Sequence, residues 1–389
     1  MRAVRFIGNA ALVVFALLTL GTLAPAIPLL GELGPSQISR FGPWITVLSL
    51  IGTAAVLRRW QIGRGRKTLL LAGLAGFAAI GTLWIQARYI ATARENGAQI
   101  DIAQAFLARS QANTSLRPVT VNYTQFAGMS LPLDIYRPTR LRGDGPAPVF
   151  IYIHGGGWGG QTLKQRQADY RWFAARGYLV ISLEYTLSSE TRPTWNIAEQ
   201  QLACGLKWVG GNAARFGGDP ARVALWGESA GGNLVLNLAY RANAGKLRSA
   251  CKGALPRIAA TAALYPVVDP ERMYHNPNPL IGHFGRTMTT RYTGGTPRQY
   301  PARYRAIASA THITAKAPPT FLIVPEADHL VVPQAAYAFA RKAGIAGVET
   351  RVVTMPYAGH SFDLRSGSIG NQMVRQVMLQ FLEAHGLKL

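Results

Sequence analysis

Three long stretches near the start of the chain carry no charged residue. Between Arg5 and Glu32 lie 26 such positions, between Arg40 and Arg58 lie 17, and between Lys67 and Arg88 lie 20. A helix that crosses the hydrocarbon layer needs about 17–25 predominantly apolar residues. Gly and Pro inside such runs are compatible with membrane helices. The pattern therefore predicts three transmembrane helices within residues 1–90, the second centred on Ile45 to Leu57 and the third on Thr68 to Ala87. Three buried helices of a soluble core are the alternative, and the clustering of three such runs at one end argues against it. The first run also reads as a signal peptide, with Arg2 and Arg5 before the apolar stretch and Ala24-Pro25-Ala26 as a poor cleavage site.

The rhythm changes after residue 90. Residues 91–116 mix Ile100, Ile102, Phe106 and Leu107 with Arg94, Glu95 and Asp101. They predict a helix continuing out of the third span, then a short amphipathic connector. From Arg117 onward, short β-rich runs appear at Val119 to Tyr123, Leu131 to Tyr136, Val149 to Ile153, Tyr178 to Leu183, Val223 to Trp226, Ala262 to Tyr265, Phe321 to Val324 and Thr350 to Met355. Helical patterns lie between the later ones, at Leu163 to Arg176, Asn196 to Ala214, Ala230 to Asn243, Gln334 to Ala343 and Gly370 to His385. Strands alternating with helices predict an α/β domain over residues 117–389, a mostly parallel sheet covered on both faces. Residues 269–312 break the alternation with Pro, Gly and Tyr and predict a loop-rich cap.

Charge adds direction to this picture. The 389 residues carry a net charge of +23, with only 15% charged and 49% hydrophobic residues, which excludes wholesale disorder. A basic chain invites a nucleic-acid reading. The dense basic cluster, however, is Arg58, Arg59, Arg64, Arg66 and Lys67, between the second and third spans, and the remaining Arg residues are dispersed. The cluster is the signature of a cytoplasmic loop under the positive-inside rule. With three spans, everything after Arg88 falls on the extracytoplasmic side. This charge pattern predicts a membrane as partner, not nucleic acid. Two cysteines exclude a disulfide framework or a cysteine-rich zinc site. In an oxidising compartment Cys204 and Cys251 could pair; two buried thiols are the equal alternative.

Gly227-Glu228-Ser229-Ala230-Gly231 matches G-x-S-x-G. It follows the apolar run ending at Trp226 and opens a helix, the context a nucleophile elbow requires. His154-Gly155-Gly156-Gly157-Trp158 follows another apolar run. Three consecutive glycines leave backbone N–H groups free to turn toward a developing oxyanion. His154 has no ligand partner at metal-binding spacing, so no metal is expected. A serine nucleophile needs a base, and the base an acid, in the chain order Ser, acid, His. His360, in Tyr357-Ala-Gly-His-Ser-Phe362 after the last strand, is the expected base, with His329 its main competitor. Asp328 is the expected acid, Asp269 the runner-up, and Glu326 and Asp363 are expected on the solvated surface. Trp158, Trp195 and Tyr292 are candidates for an acyl pocket or for core packing.

The segments HGGGW, GGDPARVALWGESAGGN, APPTFLIVPEADHLVVP and YAGHSF resemble the α/β-hydrolase esterases and lipases of the hormone-sensitive-lipase-like and feruloyl-esterase-like groups. The resemblance covers about residues 117–389. It implies an α/β-hydrolase fold, a Ser229–His360–Asp328 triad, an oxyanion hole from the N–H groups of Gly156, Gly157 and Ala230, and carboxylic-ester hydrolysis without a cofactor. Two positions depart from the pattern: Pro325 stands where Gly is usual, and Gln201 where Asp is usual. Acyl removal or transfer on envelope lipid or polysaccharide would use the same residues. An inactive hydrolase-fold scaffold is the reading from another class.

Overall fold

The computed structural model describes residues 2–107, 116–126, 128–139 and 145–388; positions 108–115, towards the end of the expected connector, lie outside them. The chain forms two compact units. The first comprises Met1–Arg109, Pro325–His329 and Thr354–Val377; the second comprises Ser110–Val324, Leu330–Val353 and Met378–Leu389.

In the first unit, α1 (Arg2–Leu23), α2 (Leu30–Gly63) and α3 (Arg66–Glu95) pack pairwise against one another, and α4 (Ile102–Leu107) follows. All three long helices have the length and apolarity to cross a membrane. They meet through small residues: a Cβ added to Gly52 would run into Leu12, one on Gly81 into Thr19, and Ala75 and Ala78 are wholly buried. Close backbone approach through such residues is how helices associate where no water drives them together. The outward faces stay apolar, with Ile80 73% and Leu70 70% exposed.

α2 is much longer than its uncharged run. Pro35 and Pro43 lie inside it without ending it. Pro35 cannot donate to Gly31 O, nor Pro43 to Ser39 O; the hydroxyls of Ser39 and Thr46 donate to Pro35 O and Gly42 O, each four residues back. The basic loop of ten residues also contracts. Arg58 and Arg59 are helical, and only Arg64 and Gly65 separate α2 from α3. Arg64 takes the left-handed conformation (φ 49°) and its N–H caps Trp60 O.

The remaining elements run β1 (Val119–Phe126), β2 (Met129–Tyr136), β3 (Ala147–Ile153), α5 (Gln167–Ala174), β4 (Leu179–Leu183), α6 (Ala198–Asn212), β5 (Gly218–Glu228), α7 (Ala230–Asn243), β6 (Ile258–Leu264), α8 (Pro270–Tyr274), α9 (Gly282–Thr293), α10 (Pro301–Ile307), β7 (Thr320–Pro325), α11 (Pro333–Ile345), β8 (Thr350–Met355) and α12 (Ile369–Ala384). The eight strands form one sheet in the order β1-β2-β4-β3-β5-β6-β7-β8. β1, β2 and β4 pair antiparallel; β4-β3-β5-β6-β7 pair parallel. The central strands are buried on both faces, as in Val149 to Ile153, all at 0% exposure. This is why they read as continuous apolar runs rather than alternations. The sheet and its covering helices form an α/β-hydrolase fold.

Residues 269–312 carry three short helices and a 3₁₀ turn rather than mainly loop. Pro270 and Pro301 each occupy a first turn, where the missing N–H costs nothing, and Asp269 caps α8 by accepting from Arg272 N. Helices of five to twelve residues are too short to show a clear apolar period. Cys204 and Cys251 are joined in a disulfide, with their Cα atoms 5.3 Å apart.

Candidate active site

Ser229 sits between the end of β5 and the start of α7 with φ 53° and ψ −119°. A positive φ is uncommon for a residue with a side chain and costs on the order of 1–3 kcal/mol. The turn is fixed by backbone bonds: Ser229 N donates to Leu264 O at 2.9 Å, and Ser229 O accepts from Asn233 N and Val267 N. Its glycines answer to close approach. A Cβ on Gly227 would strike the carbonyl of Gly231, and one on Gly231 the carbonyl of Ile153. Ala230 is the first residue of α7, where N–H groups lack partners within the helix and the helix dipole favours negative charge.

The glycine loop after β3 lies on this turn. A Cβ on Gly155 would stand 2.7 Å from Glu228 O and 3.3 Å from Ser229 Cβ. Gly156 (φ 84°), Gly157 (φ 61°) and Trp158 (φ 59°) turn the backbone through the left-handed region. The loop is pinned rather than free. His154 Nε2 lies 2.7 Å from Glu184 Oε1, and its ring stacks on Tyr185 at 4.4 Å. The Tyr185 hydroxyl donates to His154 O and Gly155 O, at 3.1 and 3.3 Å. Trp158 stacks on Tyr292 at 4.4 Å and both are buried, so this pair belongs to the core. Trp195 borders a cavity of about 650 Å³ whose wall mixes Glu199, Arg241 and Lys246 with Leu247 and Ile307.

The expected acid and base lie in the first unit and meet there. His360 Nδ1 is 2.6 Å from Asp328 Oδ2, with the carboxylate side chain wholly buried. Two backbone bonds lace their loops together, Glu326 N to Met355 O at 3.0 Å and Ala327 N to Ala358 O at 2.9 Å. Tyr357 (φ 58°) and Ser361 (φ 61°) bracket the histidine with left-handed turns. The competitors are placed elsewhere. Asp269 is a helix cap, Glu326 is exposed, and His329 Nδ1 stands 3.9 Å from Glu32 Oε1. Asp363, expected at the surface, is buried, and its carbonyl accepts from Asn371 Nδ2. Pro325 ends β7 within the sheet, and Gln201 bonds both the backbone N and the hydroxyl of Thr186.

The sequence model of the family described as BD-FAE matches residues 133–343, more than half of the chain. The chain belongs to the BD-FAE family. Among curated relatives, Esterase LipQ of Mycobacterium tuberculosis is 30% identical over 258 residues, 64% of this chain and 58% of that protein. Carboxylesterase NlhH of the same species is 34% identical over 151 residues, 37% of this chain and 45% of that protein. The chain thus spans about half the length of these curated relatives. Esterase 2 of Thermogutta terrifontis, solved with propionate bound, matches 72% of this chain and 98% of its own with a TM-score of 0.58 at 21% identity. That likeness concerns the fold.

One cluster in this BD-FAE chain escaped the sequence reading. Glu228, immediately before Ser229, accepts from Tyr152 Oη at 2.8 Å and is ion-paired with Arg166. Arg166 also reaches Asp169 Oδ2 at 3.2 Å and Tyr265 Oη at 2.7 Å. All five residues are buried. The group fixes the main chain on the strand side of the turn. The middle residue of G-x-S was the only signal for it; its partners are 62 and 76 positions away.

Proposed function

We propose that this chain is a membrane-anchored serine hydrolase that cleaves carboxylic esters. Residues 1–90 would supply the anchor, 91–116 the connector and 117–389 the catalytic part. The observation that carries the reading is the strained Ser229 turn between β5 and α7. The His360–Asp328 pair, the chain order Ser, acid, His, and the similarity to an esterase and a carboxylesterase support it.

In this mechanism His360 Nε2 takes the proton of Ser229 Oγ as Oγ bonds to the ester carbonyl carbon. The carbonyl electron pair moves to oxygen, where the N–H groups of Gly156, Gly157 and Ala230 hold it. Collapse breaks the bond to the alkoxy oxygen, which leaves as alcohol with the proton from His360. Water then repeats the sequence, releasing the acid and restoring Ser229. Asp328 keeps the His360 ring in one orientation and stabilises its protonated form.

For location, we read α1–α3 as spans, with the Arg64–Gly65 turn in the cytoplasm and the catalytic part outside. The Cys204–Cys251 bond supports that side, because disulfides persist in oxidising compartments.

The test is covalent. A fluorophosphonate should label the folded chain and fail on Ser229→Ala, whose turnover of p-nitrophenyl acetate should fall by about 10⁴–10⁶-fold with unchanged melting. Near wild-type activity in Ser229→Ala would remove Ser229 as the nucleophile, and no labelling of folded wild type would return the chain to the scaffold reading.

A further inference from the structure

The first unit holds the acid–base pair and the three apolar helices in one body, and its contacts set the depth of that pair relative to a bilayer. On α3 the uncharged run from Thr68 to Ala87 is 20 residues, about 30 Å of helix, the thickness of a hydrocarbon layer. The five basic residues from Arg58 to Lys67 mark one end of it. At the opposite end, Phe41 and Trp44 on α2 and Trp84 on α3 are each 43–54% exposed. Exposed aromatic rings at the end of an apolar span are the mark of the boundary between hydrocarbon and headgroups. α4 lies at the same level: Trp44 Nε1 donates to Phe106 O at 2.9 Å, and Ile102 and Leu107 remain exposed.

The loop that carries His360 is fastened to this boundary at both ends. Before the histidine, the Tyr89 hydroxyl, two residues past the apolar run, donates to Tyr357 O at 3.1 Å. After it, Arg365 donates to Arg40 O at 3.1 Å and to Ala105 O at 2.8 Å, with its guanidinium 5.4 Å from the centre of the Phe41 ring. Between them, a Cβ on Gly359 would stand 3.2 Å from Pro35 Cβ. Three residues of chain span at most about 11 Å, so His360 stays in the headgroup layer.

From this we infer that the enzyme takes its substrate from the membrane itself: an amphiphilic acyl ester resident in the bilayer, whose carbonyl lies at the hydrocarbon–headgroup boundary. The inference rests on the proposed triad and on the spanning of α1–α3. A base held in the headgroup layer meets the ester linkage of such a molecule without the molecule leaving the bilayer.

The experiment uses the full-length chain reconstituted in vesicles of non-hydrolysable ether lipid. Dioleoylglycerol is placed either in the same vesicles or in a separate population, and p-nitrophenyl acetate serves as a water-soluble control. Release of oleate should be at least about tenfold faster when enzyme and dioleoylglycerol share vesicles, since confinement raises effective concentration, while acetate hydrolysis is equal in both mixtures. Equal oleate release from the two arrangements, or none from either while the acetate is cleaved, would overturn membrane access and leave the esterase reading standing. Wild type inactive on both esters, or Ser229→Ala as active as wild type, would overturn the esterase reading itself.

Discussion

Tyr89 shows how a single hydroxyl ties one of the long apolar helices to the proposed chemistry. Its side chain is wholly buried; the hydroxyl lies 3.1 Å from Ser39 Oγ and donates to Tyr357 O, three residues before His360. Tyr89→Phe keeps the ring and strands that carbonyl, at a cost of about 1–3 kcal/mol. A displaced base loses rate steeply, about 10²-fold for 1 Å. With His360 as base, Tyr89→Phe should lower kcat on p-nitrophenyl acetate about tenfold and leave KM nearly unchanged. An unchanged kcat with only a lower melting temperature would make Tyr89 a packing residue and nothing more. The contrast with Ser229 is instructive. Ser229, Asp328 and His360 stand out in sequence as candidates because each sits in a short motif next to a strand. Tyr89 and Arg166 are not, because what they hold is 268 and 62 positions distant. A Tyr ending an apolar run reads only as an interface residue, and a lone Arg only as surface. Long-range hydrogen bonds leave no local period to detect.

At the scale of elements, all eight strands fall on the β-rich runs read from sequence, because β-branched and aromatic residues cluster where a sheet is buried on both faces. The helices α6, α7, α11 and α12 follow for the complementary reason, an apolar stripe at helical spacing. α2 does not, since its first thirteen residues carry Glu32, Pro35 and Arg40 and are helical through tertiary contacts rather than propensity. The disulfide belongs to this scale too. It ties α6 to the segment after α7 and closes a loop across a sequence separation of 47. In the chain-entropy model that closure stabilises by about 4 kcal/mol. Cys204→Ser with Cys251→Ser should therefore lower the melting temperature of the catalytic part by several degrees, and a reductant should do the same to wild type and nothing to the double variant. A reductant-insensitive wild type would mean that the two thiols are unpaired in the protein as made. The closing residues stand beside Lys207, whose ammonium donates to Cys251 O at 2.7 Å, so the pair is also locally anchored.

For the whole molecule, the opening puzzle is a charge of +23 on a chain with long uncharged runs. Residues 1–109 hold 11 basic and 3 acidic residues, a net +8, and residues 110–389 hold 30 and 15, a net +15. The sign is uniform, so net charge alone gives no orientation. Local density does. Arg58, Arg59, Arg64, Arg66 and Lys67 crowd one end of the α2–α3 hairpin, whereas the opposite end mixes Glu32 and Glu95 with Arg40, Arg88 and Arg94. Moving the dense end across a membrane would carry five cations through a low-dielectric layer, at about 2.5–3.5 kcal/mol per residue on insertion scales. In the proposed topology the hairpin turn therefore stays in the cytoplasm, and the chain following α3 emerges on the other side. Helix α1 contributes to the same bundle through Leu12 against Gly52 and Thr19 against Gly81, and in the proposed topology it is retained as a span. The disulfide makes this directly measurable, since neither native cysteine is free. A Cβ at Gly65→Cys would make only an ordinary contact with Thr68 Oγ1 at 3.7 Å at an exposed position, and Ile345→Cys replaces a side chain that is 83% exposed. In intact cells, an impermeant maleimide should label Ile345→Cys and should reach Gly65→Cys only after the membrane is permeabilised. The reverse pattern would place the catalytic part in the cytoplasm, and labelling of both in intact cells would mean that α2 and α3 do not cross the membrane.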